Sequence, residues 1–342
     1  MGFAAQCRVP CASWPLATWL AAHVAEFDLV HIHALFSFAS LPAAYWAAQR
    51  RVPYIVRPLG TLNEWGMTNR RPWLKRASFR LLESRVVQHA ALMHYTSEDE
   101  RREASALTHG AASIVIPNPV SIGTAAERRG AFRACLGIAS DAPLVLFLSR
   151  VDQKKGLDLL IQGFALLRAK VPKAVLVIAG NGSPAFVSSL RALAASTGLS
   201  DDAIVWAGFV EGEAKREAFA DADVFALPSY SENFGIAVAE AMAAGLPVVV
   251  SDRVGIHDDV VAAGAGYVVS CQASEIADAL SALLANREMA RVMGQQGAIL
   301  VRRRYSDEAV TAQVMAAYRH VLDSTRPSSV SQSRLGAIQG HA

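Results

Sequence analysis

Cysteine is scarce: four in 342 residues, at Cys7, Cys11, Cys135 and Cys271. Only the first two are close, and no Cys/His group follows at a zinc spacing. That scatter excludes a disulfide framework and fits unpaired thiols in a reducing compartment. Long apolar runs are also missing, none reaching the roughly 18 residues that span a bilayer. The best stretch, Trp14 to Ala25, contains His23, is followed by Glu26 and Asp28, and lacks a basic leader and a cleavage site. It reads neither as a membrane span nor as a signal peptide, and the expected localisation is cytoplasmic. Charge is sparse at 18%, and 33 Lys+Arg against 30 Asp+Glu give a net +3, too mild for a nucleic-acid binder. What is abundant is hydrophobic material, 52% of the chain, enough for large cores. Typical domain sizes imply about two domains.

Strand and helix signals alternate, which points to parallel α/β layers. Strand-length apolar runs lie at Asp28–Ile32, Pro53–Val56, Ala91–Tyr95 and Ser113–Ile116. A second series covers Leu144–Leu148, Ala174–Ala179, Ala203–Trp206, Val224–Leu227, Pro247–Ser251 and Gly266–Val269. Helical periodicity predicts helices over Leu157–Ala169, Ala185–Ser196 and Asp307–Leu322, the last with Ser306 as N-cap. The breaker Pro117-Asn118-Pro119, followed by Gly123, sets a domain boundary near Val120–Ala125. The expected division is 1–122 and 123–305 as two domains, 306–323 as a C-terminal helix crossing back to the first, and 324–342 as a flexible tail.

Charge is uneven. Residues 1–130 hold 14 Lys/Arg and 9 Asp/Glu, a net of +5, leaving 19 and 21, or −2, for the remainder. Arg70, Arg71, Lys75, Arg76, Arg80 and Arg85 are interleaved with Trp65, Trp73 and Phe79. That mixture suits a membrane surface or a phosphorylated acceptor. The bland alternative is a solvated basic helix face whose aromatics enter the core.

The most informative stretch runs from Pro228 to Val248. A strand ends at Leu227, a loop follows, and a helix starts near Phe234–Gly235. Ligands of open α/β sheets bind at that edge, and free N–H groups at a helix start favour phosphate. Glu232 lies in the loop and Glu240 eight residues on, within an otherwise apolar helix. Chance spacing on a solvated helix is the alternative, but a carboxylate in such a helix needs a partner. Two carboxylates so placed suit two hydroxyl-rich parts of one long ligand.

The string SENFGIAVAEAMAAGLPVV is similar to the E-x7-E signature of retaining glycosyltransferases of family 4, with the two-domain GT-B fold. Other segments follow in the family's order. Leu148-Ser149-Arg150 with Lys154-Lys155-Gly156 resembles its diphosphate motif, and Ile178-Ala179-Gly180-Asn181-Gly182 its glycine turn. Ala207-Gly208-Phe209-Val210 resembles its base-contacting segment, and Asp28-Leu29-Val30-His31-Ile32-His33 its histidine-bearing strand. The resemblance covers about residues 26–322 and implies two Rossmann-like parallel-sheet domains facing a cleft. It further implies a nucleoside-diphosphate sugar donor, with UDP the favoured carrier, and a glycan or lipid-linked acceptor in surface-polysaccharide or glycolipid assembly. Peripheral membrane association, no nucleic acid and no cofactor complete the expectation. Glu240 would bind the ribose diol and Glu232 the donor-sugar hydroxyls. Gly180 and Gly182 would line the donor site, with backbone of Asn233, Phe234, Gly235 and Ile236 on sugar and phosphate and of Phe209 and Val210 on the base. Arg150 and Lys155 would stabilise the leaving diphosphate, work two fixed cations can do without a metal. His33 would face the reacting sugar, with His31 on the other side of the strand as a core histidine.

Two departures from the family pattern stand out. Arg57-Pro58-Leu59-Gly60 occupies the place of the usual His-Gly, so Arg57 is either a substitute cation or a surface residue. The strand–glycine–helix unit that ordinarily opens the first domain is not found before Asp28, roughly 80 residues short of the usual domain. The expectation is therefore an N-terminally incomplete first domain with an exposed strand edge. The alternative to a working transferase is a nucleotide-sugar-binding pseudoenzyme or fragment.

Overall fold

A computed structural model describes residues 13–69, 72–121, 130–200 and 202–325. Cys7, Cys11, Arg70, Arg71, the predicted boundary at 122/123 and nearly all of the predicted tail lie outside them. The chain forms two compact units, one from Met1–Tyr95, Ala104–Ile114 and Ala312–Ala342, the other from Thr96–Glu103 and Val115–Thr311.

The first unit has a sheet in the order β1-β2-β3-β4, comprising Val30–His33, Tyr54–Arg57, Leu92–Tyr95 and Ser113–Val115. The β1–β2 and β2–β3 pairs are parallel, with Val30 opposite Tyr54 and His33 opposite Arg57. Tyr54, Ile55, Val56, Leu92, Met93 and Tyr95 are buried, the near-continuous apolar reading of strands covered on both faces. Tyr54 donates its hydroxyl proton to the Val86 carbonyl at 2.8 Å, and burial pushes that phenol up to about 12.

Among the described residues the second unit has six strands in the order β10-β9-β8-β5-β6-β7. They are β5 Leu144–Leu148, β6 Val175–Ala179, β7 Ile204–Gly208, β8 Val224–Leu227, β9 Val248–Ser251 and β10 Gly266–Val269. Every pair is parallel, so all six C-terminal ends share one edge. From β5 the chain proceeds outward through β6 and β7, then returns to the other side of β5 for β8, β9 and β10. Strand order therefore reverses between β5 and β8, which opens a crevice at their C-terminal ends. The sheet centre is dry: Leu144–Phe147, Val224–Ala226 and Val248–Val250 are wholly inaccessible. Helix Leu157–Lys170 covers it with Leu157, Leu160, Ile161, Phe164 and Leu167, a helical-period stripe.

The ten strands among the described residues appear where apolar runs predict them, most within a residue. The exceptions are β1, which starts two residues later than Asp28–Ile32 and ends one later, so His33 lies inside the strand, and β7, which runs two residues past Trp206 to Gly208. Among the described residues β1 is the end strand of its sheet. Helices Pro184–Ser196 and Asp307–Thr325 match their expected positions, and the Ser306 hydroxyl accepts from Ala309 N at 3.2 Å as N-cap.

Glu83 is a buried carboxyl, 1% exposed, that accepts from Phe36 N at 3.1 Å. Burial pushes it from 4.5 up to about 7 despite that bond. Between those values the folded chain keeps a proton the unfolded chain has released, so this group's contribution falls as pH rises, then levels off. Glu83→Gln, which mimics the protonated form, is expected to gain melting temperature on the parent as pH rises from about 5 to about 7. A difference between the two that is constant with pH in thermal unfolding would refute the assignment.

Candidate active site

The loops leaving β5, β6 and β7 interlock through backbone. Val151 N donates to Asn181 O at 2.9 Å, Ser149 N to Ala179 O at 3.1 Å, and Gly180 N to Gly208 O at 2.6 Å. Gly180 has φ +149, and a Cβ there would lie 1.8 Å from the Ser149 carbonyl oxygen. The glycine turn thus exists so that two strand-end loops can touch. Arg150, Asn181 and Gly182 stand exposed along this edge, as does Phe209, at 65% exposure, beside the half-buried Val210.

On the other side of the crevice, the β5 and β8 loops are fastened together. Gly156, left-handed at φ +67, passes so close to Pro228 that a Cβ would sit 1.9 Å from its carbonyl oxygen. Tyr230 N donates to Lys154 O at 2.8 Å, and the Tyr230 hydroxyl donates to Asp158 at 2.7 Å. Lys155 then reaches across and forms an ion pair with Glu232. It is 5% exposed; burial, and after it the charges of Lys154 and Arg150, push its ammonium down to about 7. The Glu232 carboxylate opposes that by favouring the protonated form. Glu232 is itself fixed by backbone, donating to Arg253 O at 3.0 Å and accepting from Gly255 N at 2.8 Å.

Beyond Glu232, Asn233 donates from Nδ2 to the Thr96 hydroxyl at 2.8 Å and accepts the Ser97 hydroxyl on its carbonyl at 3.1 Å. Its Oδ1 and the Ser229 hydroxyl are buried without a hydrogen-bond partner among the described residues. Phe234 is 2% exposed and packs edge-on against Tyr305, ring centroids 5.3 Å apart, so its side chain is core. Gly235, buried at φ +98, starts helix Ile236–Ala243, whose first residue Ile236 is half exposed. Glu240 is half-buried on that helix and accepts from Lys215 Nζ at 2.6 Å. The partner demanded by a carboxylate in an apolar helix is thus a lysine from the neighbouring helix Gly212–Asp221.

In the first unit, the expectation for His31 is overturned. It does not lie on the opposite side of the strand from His33; the two rings are 4.5 Å apart on the same face. Residues i and i+2 of a strand point the same way, so the pair had to share a face. His31 meets the Tyr318 hydroxyl through Nδ1 at 2.8 Å and His94 Nδ1 through Nε2 at 3.4 Å. Burial first, then His33, His94 and Arg57, drive its pKa down to about 3. Burial and Arg57 lower His33 as well. Arg57 is thus a cation in electrostatic contact with this row. Past His33 the chain adopts left-handed backbone at Ala34 (φ 67) and Phe36 (φ 57), a strained exit of the kind concentrated at functional loops.

Residues 129–299 match the model of the glycosyl transferases group 1 family, and residues 4–119 match a glycosyl transferase 4-like domain. This chain belongs to the glycosyl transferases group 1 family. A D-inositol 3-phosphate glycosyltransferase of Xylanimonas cellulosilytica is 37% identical over 189 residues, 55% of this chain and 45% of that one. A GDP-mannose-dependent alpha-(1-6)-phosphatidylinositol monomannoside mannosyltransferase of Mycobacterium tuberculosis is 34% identical over 165 residues, 46% of this chain and 42% of that one. The chain spans about half the length of the curated relatives it matches. Among solved structures, Anabaena HepE in complex with UDP-glucose superposes with a TM-score of 0.77 at 20% identity, covering 94% of this chain and 85% of that one. The sucrose-phosphate synthase of Thermosynechococcus elongatus gives 0.75 at 23% identity, covering 90% and 77%. The fold is GT-B.

Within this group 1 chain, the edge of the second unit gathers Lys155 with Glu232 and places Glu240 with Lys215, a residue the sequence reading missed. It also missed His94 and the Thr96–Ser97 clasp on Asn233. The only signals were polar residues ending an apolar strand and one lysine just past the glycine-rich β7 loop.

Gly180→Ala is expected to lower folding stability by about 2–4 kcal/mol, since a carbonyl oxygen occupies the Cβ position. Gly198→Ala, also at positive φ but with open space around it, should cost only about 1 kcal/mol. Equal losses in urea unfolding would contradict the close-approach account.

Proposed function

We propose that this chain is a retaining glycosyltransferase that moves a sugar from a nucleoside diphosphate, with UDP as carrier, to a hydroxyl of a glycan or lipid-linked acceptor in surface-polysaccharide or glycolipid assembly. The observation that carries the reading is the fastening of the β5 and β8 loops by Lys155 and Glu232 at the point of strand reversal. Open α/β sheets bind nucleotides there.

In this reading Glu240, steadied by Lys215, accepts the two ribose hydroxyls. Backbone N–H groups from Asn233 to Ile236 take sugar and phosphate, and the β7 loop at Phe209–Val210 flanks the base. The bond from the anomeric carbon to the phosphate oxygen breaks as the acceptor oxygen bonds to the same carbon from the same face. The electron pair leaves with the diphosphate, where Arg150 and Lys155 stabilise it. The acceptor's proton passes to the departing phosphate oxygen, so no flanking pair of catalytic carboxylates is required. Glu232 holds donor hydroxyls and keeps Lys155 charged and aimed. On the first unit the candidate group is His33, which is neutral at pH 7 and so offers a hydrogen bond rather than a charge.

Thermal unfolding with UDP and with GDP tests the site. A nucleotide at about 100 times its dissociation constant adds roughly 2.7 kcal/mol to stability. Glu240→Ala and Arg150→Ala should abolish the shift, whereas Lys155→Ala should keep much of it and lower donor hydrolysis or transfer by about a hundredfold or more. A folded parent that responds to neither nucleotide would remove the assigned site. Binding with neither transfer nor donor hydrolysis would favour a nucleotide-sugar-binding protein without catalysis.

A further inference from the structure

One segment of the first unit carries none of the residues proposed for the donor site. The helix Pro72–Ser78 runs through a wider turn at Phe79–Glu83 into the helix Ser84–Gln88. Its inner side is core: Phe79, Glu83, Val86 and Val87 are buried. Its outer side is not solvated in the ordinary way. Trp73 is 71% exposed, Leu81 67%, Leu82 48% and Leu74 45%, and Trp65 just before them is 37%. Single exposed apolar residues are common, but five within residues 65–82 form a patch.

Trp73, Ala77 and Leu81 repeat at i, i+4 and i+8, and Arg76 and Arg80 occupy the adjoining row. Arg76, Arg80 and Arg85 are all exposed, and none has an ion-pair partner among the described residues. Lys75 is turned inward, donating to the Gly66 carbonyl and to Asn69 O at 3.2 Å, which ties the helix to the preceding turn. The patch is therefore an apolar stripe flanked by unpaired guanidinium groups on an anchored element. The bland sequence reading fits only Phe79; both tryptophans stay outside.

We infer that this face docks on a lipid bilayer bearing anionic headgroups, with Trp73, Leu74 and Leu81 at the acyl boundary and Arg76, Arg80 and Arg85 on the headgroup phosphates. Charge complementarity selects this occupant. A second copy of the same face would bring the guanidinium rows together without a counter-charge, whereas an anionic interface supplies one everywhere. Tryptophan and leucine beside arginine is the composition of helices that lie in an interface. No helix among the described residues is long and apolar enough to cross a membrane, so contact is along the surface. The inference stands independently of the donor site.

The test is co-sedimentation of the full chain with vesicles of phosphatidylcholine alone and of phosphatidylcholine with about 30 mol% phosphatidylglycerol. Binding is expected to the mixed vesicles and to weaken as salt rises from about 0.1 to 0.5 M. Arg76→Glu with Arg80→Glu should lower partitioning about tenfold or more, and Trp73→Ser with Leu81→Ser should lower it to a similar extent. Both double variants should keep the parent's melting temperature and nucleotide response. Should either misfold, tryptophan quenching of the parent by brominated acyl chains reads the same contact. Absence of binding to mixed vesicles, binding that both variants retain, unquenched tryptophan, or a parent dimer that the variants dissolve would each overturn the inference.

Discussion

The ion pair between Lys155 and Glu232 is the contact on which the second unit's working edge depends. It joins loops from strands that are neighbours in the sheet but far apart in the chain, and it lies where strand order reverses. Around it, Gly156 presses on the Pro228 carbonyl and Tyr230 bonds both Lys154 and Asp158. Losing one partner would leave an uncompensated charge, a cost of about 3–5 kcal/mol. Yet two well-packed apolar residues would serve folding as well or better, so stability does not account for the pair. In the proposed reading, a buried ammonium whose burial favours proton loss, held against a carboxylate, is a group that an arriving anion would help keep charged.

Glu240 extends the same logic. Its helix is apolar because it packs on the sheet, so the carboxylate needed its own cation, and Lys215 supplies one from another helix. The two acids are thus held differently: Glu232 by backbone on both sides and a nearly inaccessible lysine, Glu240 by a single half-exposed lysine. A ligand hydroxyl can displace or share the second contact far more readily than the first. In the proposed reading this matches a rigid group beside the reacting sugar and a more yielding one on the ribose.

The fold was legible because parallel strands buried on both faces are written as apolar runs, with helical periods between them. Even so, Val30–His33 starts two residues inside its predicted run and ends one past it, since its last residue is a histidine and carries no apolar signal. The face shared by His31 and His33 follows from the two-residue strand period alone. What no local pattern carried was pairing across distance. Asn233 meets Thr96 and Ser97 from 137 and 136 positions away, and His31 meets Tyr318 across 287. Thr96, Ser97 and Tyr318 are unremarkable in their own segments, and only the packed fold brings them to their partners.

The two units divide the chemistry unevenly. The larger second unit keeps its polar groups at one sheet edge, and among the described residues its exposed large apolar side chains are scattered, Leu166, Phe209, Ile236, Val261, Val292 and Ile299. Among the described residues the smaller first unit has four strands of three or four residues, yet exposes Trp65, Trp73, Leu74, Leu81 and Leu82 within one segment. A fold with so short a sheet gains most from burying such side chains, at roughly 1.5–3 kcal/mol each, and here it does not. The arginines beside it, Arg76, Arg80 and Arg85, are exposed and lack carboxylate partners among the described residues. Apolar and basic groups left unsatisfied side by side are both satisfied at once by an anionic interface, and by little else of comparable simplicity.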